Sequence, residues 1–141
     1  KISEEYAAAG LLHNVGELAL ISYRPDEYDT ILSRREAEPN RSIVEIEREA
    51  VGVSHTALGA YLLDWWNLPH FLLEASLYHH GPFGPSKEFL ALMHISDVLS
   101  WDVLGKFDGL TVEPICWELC GISESEAREE ISEFVENLKR T

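Results

Sequence analysis

Histidines that stand beside small or polar residues are the part of this 141-residue sequence that could perform chemistry. His13 and Asn14 lie between two apolar runs, where packed helices could present polar groups to a shared buried centre. An Asp at position 14 would complete a His-Asp pair, which can offer metal ions one imidazole and one bridging carboxylate. The residue there is Asn14, and a neutral amide cannot bridge two divalent cations as a carboxylate does. The chemistry expected of the chain therefore depends strongly on this one side chain.

Asp97 is a carboxylate on an apolar stretch, between Ile95 and Val98. A buried charge there needs a partner, or it costs several kcal/mol. Two arrangements would give Asp97 such a partner: a bound metal ion, or a metal-free cluster of hydrogen-bonded side chains. Both would use the same residues. The candidate side chains are His13, His55, His79 or His80, and Asp97. The cluster is favoured, because a single His on a helical face is usually a satisfied core or surface residue.

The charge balance disfavours two classes of partner. The chain carries 25 acidic and 11 basic residues, a formal net charge of −14, with no cluster of Lys or Arg. Such a surface repels phosphate backbones and anionic lipids, so we expect neither direct nucleic-acid binding nor membrane binding. No apolar run approaches the ~20 residues of a membrane span, and no signal peptide is visible.

Two cysteines, Cys116 and Cys120, stand one turn apart on a predicted helix. Their spacing lies near the upper end of disulfide geometry, and no further zinc ligands stand nearby. We therefore expect buried free thiols and a cytoplasmic location.

Nearly every segment has a helical period, and no alternating strand is evident. The sequence predicts an all-α unit of roughly eight to nine helices without a sheet. Expected N-caps are Ser42 with Glu45, Ser86, and Ser123 with Glu126. A buried stripe of one long helix is expected at Ala57, Leu58, Tyr61, Leu62 and Trp65, and the buried face of the last helix at Ala127, Ile131, Phe134, Val135 and Leu138. The four tryptophans, Trp65, Trp66, Trp101 and Trp117, are expected mostly in the core.

Four blocks of sequence carry a family resemblance. Residues 11–16 resemble the "LLHDIG" segment of HD-superfamily proteins. Residues 49–69 resemble the stretch of HDOD domains that ends in a Trp-x-Leu-Pro pattern, and residues 79–82 resemble their His-His turn. Residues 94–97 resemble their last motif, which ends in Asp. The blocks span about residues 7–104 and resemble the C-terminal half of the module. We therefore expect its N-terminal half to precede Lys1 or to belong to another part of the protein.

The resemblance implies an HD-type helical bundle, with an HD-like core over residues 1–104 and a C-terminal helical extension over residues 105–141 of one all-α unit. It also implies a vestigial polar site at the family's ligand positions, namely His13, Asn14, His55, His79, His80 and Asp97. No metal is expected; a bound ion would use His13, His55, His80 and Asp97. Glu17 also stands where catalytic relatives commonly have a Lys.

The function that follows is a non-catalytic regulatory module of a bacterial signalling protein, such as a response regulator. Its partners would be other domains of the same chain or a signalling protein, and a homo-oligomer is also open. No cofactor is expected. The alternative is a metal-dependent phosphohydrolase acting on a nucleotide or cyclic dinucleotide with Fe, Mn, Mg or Zn, and a third reading is a sensor that binds a small molecule without reacting it.

Overall fold

The computed structural model describes residues 4–83, 88–105 and 111–140, and these residues form nine α-helices and no β-strand. The helices are α1 (Glu4–Leu12), α2 (Val15–Tyr23), α3 (Pro25–Ala37), α4 (Ile43–Val51), α5 (His55–Trp65), α6 (His70–Tyr78), α7 (Glu88–Val103), α8 (Pro114–Cys120) and α9 (Glu124–Lys139). The predicted all-α class is confirmed. Within the described ranges no helix is both long enough and apolar enough to cross a membrane.

The chain falls into two compact units, Lys1–His79 and His80–Thr141. In the first, α2, α3 and α4 enclose an apolar core of Leu20, Tyr28, Ile31, Ile43 and Ile46. In the second, α7, α8 and α9 enclose a core of Ala91, Ile95, Leu99, Cys116 and Ala127. The predicted division of the family domain at residue 104 stays a prediction.

Prolines and capping residues set several helix boundaries. Pro25 and Pro114 occupy the first turns of α3 and α8, where their fixed φ suits a helix and no N–H is needed. The capping box of α9 is confirmed, since the Ser123 side chain accepts from the Glu126 N–H and the Glu126 side chain accepts from the Ser123 N–H. At α4 the predicted box is wrong. Ser42 is the N-cap residue there but makes no side-chain cap bond, and the Glu45 carboxylate lies 3.9 Å from Arg41 instead. Ser86, expected to cap α7, lies outside the described residues.

Helices α2 and α5 approach each other closely in the first unit. A methyl group built on Gly16 would lie 1.9 Å from the carbonyl oxygen of His55, and one built on Gly59 would lie 2.3 Å from Oγ of Ser76. Two glycines therefore allow helical backbones to meet directly, and this contact places the start of α2 beside the start of α5. The residues that precede Gly16 are His13 and Asn14, so the crossing positions them.

Helix α4 is fixed to α3 by a cluster of ion pairs. Glu49 receives Nη2 of Arg34 at 2.6 Å and Nη2 of Arg41 at 2.5 Å. The hydrogen bond from Arg41 has the largest effect, followed by the one from Arg34, and together they lower the pKa of Glu49 to about 2. The opposite face of α4 is thereby held toward the interior, with Ile46 fully buried and Glu47 only 1% exposed.

The stripe predicted for α5 is correct in part, because Leu58 packs against the first core, but it is wrong at Tyr61 and Trp65. The buried residues are His55, Thr56, Gly59 and Leu63, whereas Tyr61 and Trp65 are 66% and 73% exposed. The inward face is largely polar and small because it meets Gly16 and Ser76, so the aromatic residues turn outward. Trp66 is also exposed, contrary to the expectation for the tryptophans.

Helix α9 is buried over a narrower face than predicted. Ala127 is buried and Ile131 packs against the second core, but Phe134 and Leu138 are exposed. Of the two thiols, both of which are free, only Cys116 is fully buried. Burial raises its pKa to about 11.

Candidate functional site

His55 begins α5 and is paired with a buried carboxylate from α4. Its Nδ1 lies 2.8 Å from each carboxylate oxygen of Glu47, and Oε2 of Glu47 also accepts the backbone N–H of His55 at 2.8 Å. Both side chains are almost completely buried. A carboxylate accepts hydrogen bonds, so the ring proton lies on Nδ1, and Nε2 carries a lone pair whenever the ring is neutral.

His79 follows the last residue of α6 and is completely buried. Its Nδ1 lies 2.8 Å from the carbonyl oxygen of Ser76 and 3.1 Å from that of Ala75. Carbonyl oxygens can only accept, so Nδ1 donates here too, and Nε2 of the neutral ring is again the acceptor nitrogen. The end of a helix provides this anchor because its last carbonyls have no intrahelical partner.

His13 follows α1 and is held in the same way. Its Nδ1 donates to the carbonyl oxygen of Gly10 at 2.9 Å, and its ring meets the His79 ring edge-on, with centroids 4.8 Å apart. The first unit thus brings together three of the predicted histidines, His13, His55 and His79. In each ring Nδ1 donates to a carbonyl or carboxylate, which is the way proteins orient histidines that bind metals through Nε2.

Nε2 of His55 and Nε2 of His79 lie 3.4 Å apart. In the neutral tautomers above both atoms carry lone pairs, so this contact is stabilised only when a cation lies between the two nitrogens, either a proton or a metal ion. Two nitrogen ligands at about 2.0–2.1 Å from a tetrahedral ion are separated by about 3.3–3.4 Å. The pair therefore fits one tetrahedral ion of the zinc type.

Asn14 does not fit a second ion. It is the N-cap residue of α2, and its side-chain oxygen Oδ1 is buried, although it makes no cap hydrogen bond. The amide supplies one neutral oxygen, whereas a bridge between two divalent cations requires a carboxylate with two charged oxygens. At position 14 the first unit thus offers a neutral amide oxygen and no carboxylate.

His80 and Asp97 belong to the second unit. There the ring of His80 lies 6.4 Å from that of His94, and Nε2 of His94 accepts the backbone N–H of Glu113 at 3.3 Å. His94 and Asp97 are buried on α7, one turn apart. The Phe83 ring packs against His94 with centroids 4.9 Å apart.

Glu47 is the residue that sequence reasoning missed. It follows Ile43 by one helical turn and Ile46 by one residue, so a carboxylate stands on the apolar face of α4. That position was the available signal, because an acidic residue on an apolar stripe needs a buried partner.

Glu17, in the first turn of α2, accepts a hydrogen bond from the hydroxyl of the buried Tyr28. Burial and this bond raise the pKa of Tyr28, which keeps its hydroxyl protonated as a donor. The Glu17 carboxylate is thus part of the packing between α2 and α3.

The HDOD domain family model matches residues 1–82, and the chain belongs to that family. The match includes the first three resembling blocks and ends before residues 94–97; the expected correspondence to the C-terminal half of the module stays a prediction.

The chain is also similar to an uncharacterized protein of Treponema pallidum (strain Nichols). The two are 33% identical over 87 residues, which are 61% of this chain and 17% of the relative. The chain therefore spans under a fifth of that protein's length. No solved structure matches the chain.

Proposed function

We propose that this chain is a non-catalytic regulatory module of a bacterial signalling protein, acting through contacts with other domains or proteins. The observation that carries the proposal is Asn14. The amide stands where the HD-type site has its bridging carboxylate, so the two-ion chemistry of the hydrolases lacks an essential ligand.

The outer face of α5 supports a role in protein contact. Tyr61 and Trp65, one helical turn apart, are 66% and 73% exposed, and the following Trp66 is 51% exposed. Tyr and Trp are enriched at the centres of protein interfaces, where their large rings contribute most of the binding free energy. The aligned segment is only 17% of the matched relative, so a segment of this kind also occurs within a much longer protein.

The proposal includes a module that needs no resident cofactor, is open to homo-oligomer formation, and works without binding nucleic acid or membranes. The net charge of −14 supports the last part. The free thiols Cys116 and Cys120 support a cytoplasmic setting, where such thiols stay reduced.

A second candidate, a metal-dependent phosphohydrolase, is favoured by one observation. The 3.4 Å separation of the His55 and His79 Nε2 atoms matches two ligands on one tetrahedral ion. Such an ion would act on a phosphate ester as a Lewis acid and by lowering the pKa of bound water. The ligands of this candidate in the first unit are His55 and His79.

The two candidates are separated by metal content and turnover. Protein purified without chelator is analysed for Fe, Mn and Zn, as the wild type, as Asn14→Asp, and as Asn40→Asp, an exposed loop control. The same samples are assayed with bis(p-nitrophenyl) phosphate in added Mn²⁺. We expect well under one metal ion per wild-type chain and no turnover, with metal uptake only in Asn14→Asp.

Stoichiometric metal with turnover in the wild type would overturn the regulatory proposal in favour of the hydrolase. Stoichiometric metal without turnover would overturn only the cofactor-free part and leave a regulatory module with a bound ion. Equal metal uptake by Asn14→Asp and Asn40→Asp would show that a generic added carboxylate, and not the site, causes the uptake.

A further inference from the structure

We propose that Glu47 is a positioning residue that keeps His55 protonated on Nδ1 and thereby presents the Nε2 lone pair of His55 to His79. Neither the family match nor the sequence motifs assign a role to this glutamate. The assignment goes beyond the proposed function, because it concerns how the polar cluster is held and not what binds to it.

The contacts of Glu47 act on His55 at two points. Its carboxylate meets Nδ1 of the ring at 2.8 Å through both oxygens, and Oε2 also accepts the backbone N–H of His55 at 2.8 Å. The backbone bond fixes where α5 begins, and the ring contact fixes which nitrogen carries the proton. One side chain from α4 therefore determines both the place and the tautomer of a residue on α5.

The burial of Glu47 explains why the effect is strong. At 1% exposure, water does not compete with the imidazole for this carboxylate. A ring protonated on Nε2 instead would place a lone pair of Nδ1 against both carboxylate oxygens, in an interior where that repulsion is poorly screened. The buried Glu47 carboxylate thus stabilises the Nδ1–H tautomer of His55 relative to the Nε2–H tautomer.

His79 provides an internal comparison. The proton on its Nδ1 is held by the carbonyl oxygens of Ala75 and Ser76, which belong to α6 and do not depend on Glu47. A change at Glu47 should therefore alter the tautomer of His55 and leave that of His79 as it was. A role for Glu47 in stability alone predicts no tautomer change in either ring.

The test is NMR of the whole chain with ¹⁵N-labelled histidine at about pH 8, above the ordinary imidazole pKa of about 6.5. Wild type is compared with Glu47→Ala, with Glu47→Asp, and with Glu45→Ala, which removes an exposed glutamate of the same helix. Glu47→Asp keeps the charge but withdraws the carboxylate by one bond, about 1.5 Å.

In the wild type and in Glu45→Ala, we expect both His55 and His79 to carry the proton on Nδ1. In Glu47→Ala, and partially in Glu47→Asp, the protonated nitrogen of His55 should switch to Nε2, while His79 is unchanged. Wild-type His55 protonated on Nε2, or a His55 tautomer that stays on Nδ1 in both Glu47 variants, would overturn the proposal. If Glu47→Ala does not fold, wild type and Glu47→Asp still decide it.

This outcome is independent of the metal analysis. The tautomers can be measured in a metal-free wild type. A change in the His55 tautomer gives no information about whether Asn14 prevents metal binding. Failure of the positioning role and failure of the proposed function are therefore separately visible.

Discussion

Substitution of Gly16 by alanine should separate α2 from α5. The new methyl carbon would lie 1.9 Å from the carbonyl oxygen of His55, 2.6 Å from the backbone nitrogen of Gly59 and 2.8 Å from the carbonyl carbon of His55. An ordinary carbon–oxygen contact is about 3.3–3.6 Å, so relief requires a movement of about 1.4 Å or more. All three obstacles are backbone atoms of one helix, which cannot rotate away as a side chain can.

The magnitude follows from two opposing effects. Overpacking of a closely packed site typically costs about 1–3 kcal/mol, and a rigid backbone obstacle places this case at the upper end or above. Alanine in place of glycine within a helix increases the free energy of unfolding by about 0.5–1 kcal/mol. We therefore expect Gly16→Ala to lower the free energy of unfolding by about 2–3 kcal/mol.

Gly10 is the matched control, since it lies in α1, is exposed, and has no atom within 4 Å of a built methyl group. Gly10→Ala should raise the free energy of unfolding by about 0.5–1 kcal/mol. Urea titration followed by circular dichroism measures both, and with slopes of about 1–3 kcal/mol/M the two midpoints should differ by about 1 M or more. A Gly16→Ala midpoint equal to or above that of the wild type would refute the close crossing of α2 and α5.

Two further predictions concern one boundary and one contact. Ser123→Ala removes the capping bond of α9 and should lower the free energy of unfolding by about 1 kcal/mol, whereas Ser42→Ala removes no cap bond and should lower it by only a few tenths. Equal losses of unfolding free energy in urea titrations of the two variants would contradict the assignment of the caps. Gly59→Ala places a methyl 2.3 Å from the buried Oγ of Ser76 and should be destabilising. The double variant with Ser76→Ala should lose less free energy of unfolding than the sum of the two single variants, and strict additivity in this double-mutant cycle would show that the two residues do not collide.

Helix boundaries were predictable where a local signal sets them. Pro25 and Pro114 start helices because proline suits the first turn of a helix, and Ser123 with Glu126 forms a box from its own neighbours. The same pattern failed at Ser42, because Glu45 lies near Arg41 instead. Local sequence thus predicts a helix end well unless a nearby side chain, here Arg41, interacts with the glutamate of the capping box.

The inward face of α5 could not be predicted from apolar periodicity. The sequence offered Leu58, Tyr61 and Trp65 as an apolar stripe, yet the buried residues include His55, Thr56 and Gly59. The reason is tertiary: Gly59 meets Gly16, and the polar side chains find hydrogen-bond partners inside the unit. A pattern based on hydrophobicity treats a buried histidine as a surface residue and an aromatic residue as a core residue, so it misses His55 and assigns Tyr61 and Trp65 to the core.

The candidate site shows the same limit more sharply. The resemblance supplied His13, His55 and His79, which the structure groups in one unit, and it identified Asn14 as the departure. It did not supply Glu47. A ligand motif identifies the rings, but the proton on each ring is set by what Nδ1 meets, and for His55 that partner lies on another helix.

The neutral amide at position 14 and the oriented imidazoles have different consequences for chemistry. A bridge fixes two ions at a short separation, and Asn14 removes that possibility because its amide is neutral. The hydrogen bonds at Nδ1 of His13, His55 and His79 act on each ring separately, so they do not depend on a bridging carboxylate. Asn14→Asp would therefore add a carboxylate to rings that are already oriented, and for that reason metal uptake by that variant tests the scaffold as well as the substituted residue.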